Sequence, residues 1–456
     1  MTSFIAKTRE LFDRFDPKYV AFKRRVANFR YPSVKMGSLL SELPEYGAGE
    51  AGIERLNDTT PRYIRITDID ENGELLPGLG MTAANVEPQY FLRDGDLLFA
   101  RSGNTVGKSY FYESERVSYP CFYAGYMIRF RFGEKVLPKY VFAFAQTPYY
   151  HEWVSAIQRS AGQPNINAQE YRNLEIPLPP LLEQRKIVAE LDAAYAAKRA
   201  ADERAAKLLA SIDDMVLKEL GIANLPKPDT SLSSRIFTVS AREVHNGRLD
   251  AYYYKGNFKE LNKKLSCCNC VPFGRLITEI YNGIDCRDYK ESGVPYLKVA
   301  NVKPGEFDFD DLKYIDSQEV GAKDIALRAG RMLLTRKGTF GNAIALSEDY
   351  DYAISSEVFC LSIKNELVDV HYLETFVNSS IGRMLCDKYK IGAIMGSLSQ
   401  EAVKALPIPL PDAKVQHRIA SRASSIRAEA RKLKADATAA LDAAKRKIEK
   451  QIVNGE

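Results

Sequence analysis

The chain has 456 residues with 64 Lys and Arg against 59 Asp and Glu, a net charge of +5, and is 45% hydrophobic and 27% charged. At about 100–200 residues per domain this length gives two to four domains, which excludes a disulfide-stapled peptide, and the balance excludes wholesale disorder or a fibrous repeat. No apolar run reaches the roughly 18 residues of a membrane span, and Lys7, Arg9, Glu10, Asp13 and Arg14 break the start, unlike an export signal. A cytoplasmic protein with no membrane partner is expected, its seven cysteines reduced thiols.

In chain order, Tyr63–Ile69 and Leu97–Ala100 alternate in the manner of short strands between Gly-centred turns, and Pro138 to Ser155 reads as a helix. Ile176-Pro177-Leu178-Pro179-Pro180 cannot be helix interior, so the chain turns there. A long helix follows from about Leu182 to Leu220, stopped by Gly221, Pro226 and Pro228. Alternate steps of four and three trace a heptad seam through Ile187, Leu191, Ala194, Lys198, Ala201, Ala205, Leu208, Ile212 and Met215.

The same order then returns. Arg14-Phe15-Asp16 recurs as Arg248-Leu249-Asp250, offset 234, and Val34 to Leu40 as Val271 to Ile277, offset 237. Tyr63 to Ile69 recurs as Tyr296 to Val302, offset 233, and Leu92 to Gly103 as Leu327 to Gly338, offset 235. Leu174-Glu175-Ile176-Pro177-Leu178-Pro179 recurs as Leu406 to Pro411, offset 232. Five collinear matches make the chain a tandem duplication of a unit of about 230 residues. The offset of 232 carries the seam to Ile419, Ala423, Ile426, Ala430, Leu433, Ala437, Ala440, Ala444 and Lys447. Two helices of about 60 Å with so much Ala along the seam can pair as a coiled coil; the competing reading packs each on its own globule. The second helix carries the basic excess, eleven Lys and Arg against four Asp and Glu between Lys414 and Lys450, so the rest of the chain sums to about −2. Globules of that charge would grip a polyanion through local patches or with another subunit.

Enzymatic and metal motifs are sparse. Gly103-Asn104-Thr105-Val106-Gly107-Lys108-Ser109 is one residue short of a phosphate loop, and its repeat copy lacks the Gly-Lys-Ser. There is no H-E-x-x-H, no G-x-S-x-G, no dinucleotide fingerprint and no Asn/Asp-Pro-Pro-aromatic strip. Cys267, Cys268 and Cys270, with Cys286 beyond, have no second close pair and no His at ligand spacing, so no metal site is expected.

The strip Ile176-Pro177-Leu178-Pro179-Pro180-Leu181-Leu182-Glu183-Gln184-Arg185-Lys186-Ile187-Val188, leading into a long helix, resembles the signature of the DNA-specificity subunits of type I restriction–modification systems. Its second copy, Ile408-Pro409-Leu410-Pro411 then Gln416-His417-Arg418-Ile419, is degenerate, and Leu97 to Gly103 is similar to their target-recognition domains. The resemblance implies an α+β fold, a tandem duplication with two mixed α/β target-recognition domains and two long helices paired as an antiparallel coiled coil. The parts would be a first recognition domain with an N-terminal helical segment (1–176), a spacer helix (177–222), a linker (223–247), a second recognition domain (248–408) and a second spacer helix (409–456). It implies a chain with no catalysis and no cofactor of its own, each domain reading half of a split double-stranded DNA target. Two methyltransferase subunits carrying S-adenosylmethionine would dock on the helices, and restriction/translocase subunits using ATP and Mg would join them. A specificity subunit of a related methyltransferase or nuclease system, a fused DNA-modifying enzyme, and a coiled-coil scaffold whose globules bind protein stay open as alternatives.

Arg101 and Arg336 occupy equivalent places before Gly103 and Gly338, where a tight turn presents an Arg to DNA. Residues common to both copies cannot encode different sequences, so phosphate positioning, or a salt bridge within the fold, is expected of them. Base reading falls to the divergent loops: Ser102, Asn104, Thr105, Lys108 and the stretch Arg159 to Asn167, with Gln163 and Asn165, in the first half; Tyr281 to Arg287, Lys337, Thr339 and Met395 to Ser399, with Ser397, in the second. Helix pairing and partner docking fall to Ile187, Leu191, Leu208, Ile212, Ile419, Ile426 and Leu433.

Overall fold

A computed structural model describes residues 17–25, 29–158, 164–222, 231–241, 244, 248–321, 327–392 and 396–453. It divides into two compact units, Met1–Asp202 with Lys434–Glu456, and Glu203–Leu433.

The first unit opens with α1 (Pro17–Arg25) and β1 (Ser33–Lys35), followed by β2 (Glu45–Tyr46), β3 (Gly52–Glu54), β4 (Arg62–Ile64), β5 (Met81–Ala83), β6 (Leu97–Ala100), β7 (Ser109–Phe111), β8 (Cys121–Tyr123) and β9 (Met127–Phe130). Then come α2 (Pro138–Ala145), α3 (Pro148–Ile157), α4 (Ala168–Arg172), β10 (Glu175–Pro177) and the long helix α5 (Leu181–Glu219). One sheet is antiparallel in the order β2-β9-β6-β7. The other runs β3-β5-β4-β8, its β4–β8 pair parallel. Helix burial explains the apolar run of β6: Leu97 and Phe99 face the core under α2 and α3, while Leu98 faces a second core against β8, the alternation of a strand covered on both sides.

The second unit repeats this plan with α6 (Gly256–Leu265), β11 (Cys270–Pro272), β12 (Ile277–Asn282), β13 (Val294–Leu297), β14 (Val302–Lys303), β15 (Glu306–Phe307), β16 (Lys313–Ile315), β17 (Arg331–Thr335), β18 (Ala343–Ala345), β19 (Ala353–Ile354) and β20 (Val358–Ile363). It continues through α7 (Val370–Asn378), α8 (Ser380–Tyr389), α9 (Gln400–Ala405) and β21 (Pro407–Pro409) to the second long helix, α10 (Ala413–Ile452). The order β12-β20-β17-β18 matches that of the first sheet, and the parallel β13–β19 pair matches β4–β8. Met332 and Leu334 face the helical core and Leu333 the opposite one, as in β6.

Two elements differ from the sequence reading. The helix expected over 138–155 is two, because Pro148 has no N–H to continue α2 and instead opens α3, capped by Thr147; Ser379 makes the same break between α7 and α8. The strand expected over Tyr63–Ile69 ends at Ile64, where Asp68 folds back to accept from the Arg65 N–H and closes a 3-10 turn.

At each elbow a short antiparallel pair, β1–β10 or β11–β21, delivers the chain to its long helix. Gln184 is buried there, its amide accepting from the Leu137 N–H at 2.8 Å and donating to the Pro179 carbonyl at 2.9 Å. Gln416 does the same for Asp369 and Pro411, at 2.9 and 2.8 Å. Tyr140 and Tyr372 donate to the carbonyls of Pro177 and Pro409.

The start of α5 lies beside the end of α10 in the first unit, where Glu190 meets Lys447 and Gln451. The end of α5 lies beside the start of α10 in the second, where Glu219 meets Arg418. Both pairings are antiparallel. Ile187, Leu191, Ala205, Met215, Ile419, Ala423 and Ala430 are buried, and Leu208, Ile212, Ile426 and Leu433 half-buried. The expected seam fails near the end of α10: Ala440 and Lys447 are exposed, while Leu441, Lys445, Ile448 and Ile452 are buried. There the helix packs on the tyrosine-rich core of the first module as well as on α5, and a different stripe faces inward.

Each module also docks on its own helix through one pair at equivalent positions. In the first unit Phe142 packs on the ring of Tyr195, centroids 6.2 Å apart, and the Tyr195 hydroxyl donates to the Asn72 carbonyl. At the positions 232 residues later, buried Glu374 accepts from Arg427 at 2.6 Å. Removing one partner of a buried ion pair costs about 3–5 kcal/mol, whereas an apolar pair of similar size is close to neutral. Arg427→Met is expected to destabilise the second unit by about that amount in hydrogen-exchange measurements. The double variant Glu374→Phe with Arg427→Tyr should recover most of the loss.

Candidate nucleic-acid interface

The turn after β6 is held on three sides by backbone. The Arg101 N–H donates to the Tyr126 carbonyl at 2.9 Å, the Ile166 N–H donates to the Arg101 carbonyl at 2.8 Å, and the Gly103 N–H reaches the Pro164 carbonyl at 3.0 Å. Ser102 forms a β-bridge with Asn165. After β17 the frame repeats: the Arg336 N–H donates to Glu357, Leu398 donates to Arg336, and Lys337 bridges to Ser397. Gly103 and Gly338 sit at φ +76° and +64°, the left-handed region that a side chain disfavours.

The two arginines project from this frame. The Arg101 guanidinium lies 4.9 Å from the centroid of the exposed Tyr46 ring, and that of Arg336 lies 5.1 Å from Phe359 with Nη1 on the Ser356 carbonyl at 3.4 Å. Both Nε atoms are buried without a hydrogen-bond partner, and among the described residues neither arginine has an ion pair. The salt-bridge alternative therefore finds no partner for them among the described residues. A planar cation held by stacking keeps donors free for phosphate or a base edge.

Other side chains gather round the same frame. Tyr46 at the end of β2 accepts from the Ala168 N–H, and its counterpart Asn282 at the end of β12 accepts from the Gln400 amide at 3.0 Å. The next residue must be glycine in both copies, since a Cβ on Gly47 would lie 2.4 Å from the Tyr123 and Ala124 carbonyls, and one on Gly283 1.9 Å from that of Ile354. Tyr126 and Glu357 occupy equivalent exposed places. Asn282 falls within the expected stretch Tyr281 to Arg287, whereas Tyr46, Tyr126, Glu357 and Gln400 were not singled out by sequence reasoning; the recurrence of Gly47 at Gly283 was the available signal.

Of the residues expected to read bases, Asn104, Lys337 and Thr339 are exposed on the turn, and Ser102, Asn165 and Ser397 lie in its bridges. The Asn165 Oδ1 and Thr105 Oγ1 are buried without partners. Lys108 is used within the fold: its ammonium meets Glu71 at 2.7 Å and the Ile69 carbonyl at 3.2 Å, so the strip that imitates a phosphate loop is a structural turn. Asn167 is the N-cap of α4, accepting from the Glu170 N–H. Arg287 is exposed on the loop after β12, 3.8 Å from Asp285, and no hydrogen bond among the described residues ties it to the Arg336 frame. Arg159, Gln163 and Met395 lie outside the described residues.

Among the described residues no group of three or more His, Cys, Asp or Glu could hold a metal ion. Burial pushes the Cys268 thiol up to about 12 and that of Cys270 up to about 11, which keeps them protonated.

Comparison with known proteins agrees with the duplication. The sequence model of the type I restriction modification DNA specificity domain matches residues 61–207 and again 283–441. The EcoKI specificity subunit of Escherichia coli (strain K12) is 24% identical over 394 residues, 83% of this chain and 77% of that one. The MjaVIII specificity subunit of Methanocaldococcus jannaschii is 20% identical over 357 residues, 74% and 73% of the two chains. Among solved structures, the HsdS subunit from Thermoanaerobacter tengcongensis is 16% identical with a TM-score of 0.33, covering 92% of this chain and 96% of that one. The S subunit from M. genitalium is 12% identical with a TM-score of 0.41, covering 94% and 98%. With more than half of its length matched in two successive copies, the chain belongs to the family of type I restriction modification DNA specificity domains.

Proposed function

We propose that the chain is the DNA-reading subunit of a type I restriction–modification complex, without catalysis or cofactor of its own, and that each module reads one half of a bipartite duplex target. One observation carries this reading: the same Arg-Gly turn, held by the same backbone hydrogen bonds, occurs twice with unlike side chains around it. Tyr46, Ser102, Tyr126, Asn165 and Ala168 stand where Asn282, Lys337, Glu357, Ser397 and Gln400 stand in the second copy. Shared arginines suit phosphates, which carry no sequence information, and divergent polar groups suit base edges. Two methyltransferase subunits holding S-adenosylmethionine would dock on the long helices, and restriction/translocase subunits using ATP and Mg would join them. A cytoplasmic location follows from that role, and no helix of the structure is long and apolar enough to cross a membrane.

Arg101→Ala and Arg336→Ala are each expected to weaken duplex binding by the methyltransferase-bound subunit across all sequences, by about tenfold, and to lower the salt dependence by about one counterion. Fluorescence anisotropy over a salt series measures both.

Exchange of residues 248–408 for another module of the family, with position 427 matched to it, should change one half of the methylated sequence and leave the other. Mapping modified bases in the host genome decides this, and a change in both halves would reject the two-module reading.

Removing one heptad from each long helix shortens it by about 10 Å, close to the rise of three base pairs. The unspecified gap between the half-sites is expected to shrink by about that number, read from the same modification map.

A further inference from the structure

Each compact unit is closed by the far end of the other copy's long helix. The end of α10 buries Leu441, Ile448 and Ile452 in the core of the first unit, and the end of α5 buries Met215 and Val216 in that of the second. The offset of 232 makes Lys445 the counterpart of Asp213, Lys447 of Met215 and Gln451 of Glu219.

The polar residues at these counterpart positions differ in charge. In the first unit Lys445, 8% exposed, donates to Asn72 Oδ1 at 2.7 Å, with Asp70, Glu71 and Asp442 contributing negative charge and Lys198 positive. Beside it Glu190 takes an ion pair from Lys447 at 2.7 Å and a hydrogen bond from Gln451 at 3.0 Å. In the second unit Asp213 accepts from the Ser380 N–H at 2.7 Å, capping α8. Glu219 meets Arg418 at 2.7 Å, with Arg422, the counterpart of Glu190, adding to the positive field there.

Closure of like on like would be opposed at each of these places. An α5 end on the first module would set Glu219 against Glu190 and Asp213 beside Asp70 and Glu71. An α10 end on the second would put Lys445 at the positive N-terminus of α8. It would also place Lys447 in the slot that Met215 fills at 7% exposure, an ammonium buried without a partner.

We propose that Lys445, Lys447, Gln451 and Glu190, with Asp213, Glu219, Arg418 and Arg422, form a pairing code that selects which helix end closes which module. The code admits the crosswise closure and rejects the like-with-like closure through which a second copy of this chain would join by equivalent halves. Repulsive elements of this kind give specificity that an apolar seam shared by both ends cannot.

The test rewrites the α10 end as an α5 end in the full-length chain, with Lys445→Asp, Lys447→Met and Gln451→Glu, and follows amide exchange in the absence of DNA, so the outcome is independent of the proposed DNA-reading role. Protection of residues 441–452 is expected to fall at least tenfold while residues 209–220 keep theirs, and adding Glu190→Arg should restore the part of the loss that Gln451→Glu causes. Undiminished protection, or a loss that Glu190→Arg does not lessen, overturns the proposal. Should the triple variant fail to fold, Glu190→Lys alone must lower protection of the same residues and Lys447→Glu with it must restore them; failure of either also overturns it.

Discussion

One buried amide at each elbow sets the geometry on which the rest depends. The proline strip turns the chain but cannot by itself choose a direction, because Pro177, Pro179 and Pro180 fix φ and remove donors, leaving only carbonyls for others to bond. Gln184 supplies a directional contact, using one end of its amide on the N-cap residue of α2, Leu137, and the other on the proline strip. A helix of 39 residues amplifies any error at its root into a large displacement at its tip, so a directional bond to rigid backbone suits this place better than apolar packing alone. Gln416 repeats the arrangement, although the residues around it have diverged. That retention shows which member of the strip the fold uses.

The duplication, the two long helices and the paired Arg-Gly turns were legible in the sequence because each depends on local chemistry that recurs: a left-handed glycine, a run of prolines, an apolar step of three and four. Some companions of the arginines were not legible. Tyr46 comes from a short strand paired far along the chain and Gln400 enters from a helix start, so no spacing rule links them to residues 101 and 336, while Asn282 was reached only as part of the divergent stretch Tyr281 to Arg287. Lys108 and Asn167 show the opposite case: their local patterns are those of functional residues, while the partners the fold gives them are Glu71 and the Glu170 N–H. The buried stripe of α10 keeps to the repeat-derived positions from Ile419 to Ala430 and leaves them where the helix meets the core of the first module, because a repeat offset cannot report a change of neighbours.

The two copies therefore keep a backbone and exchange what it presents. Around the Arg turns the variation falls on the side chains that, in the proposed role, would meet DNA. At the helix ends it concerns which surfaces of the chain meet each other, and there the counterpart positions differ in charge, as Lys445 against Asp213 and Lys447 against Met215. The same scaffold carries outward and inward discrimination at separate sets of positions.

The docking pairs Phe142–Tyr195 and Glu374–Arg427 bear on how one module could be exchanged for another. Each pair straddles its elbow, so a crossover placed in the proline strip separates an acid from its guanidinium or a ring from its mate. The heritable block is then larger than the globule: it includes the first four turns of the adjoining helix, and breakpoints that leave fitness intact should fall beyond residues 195 and 427.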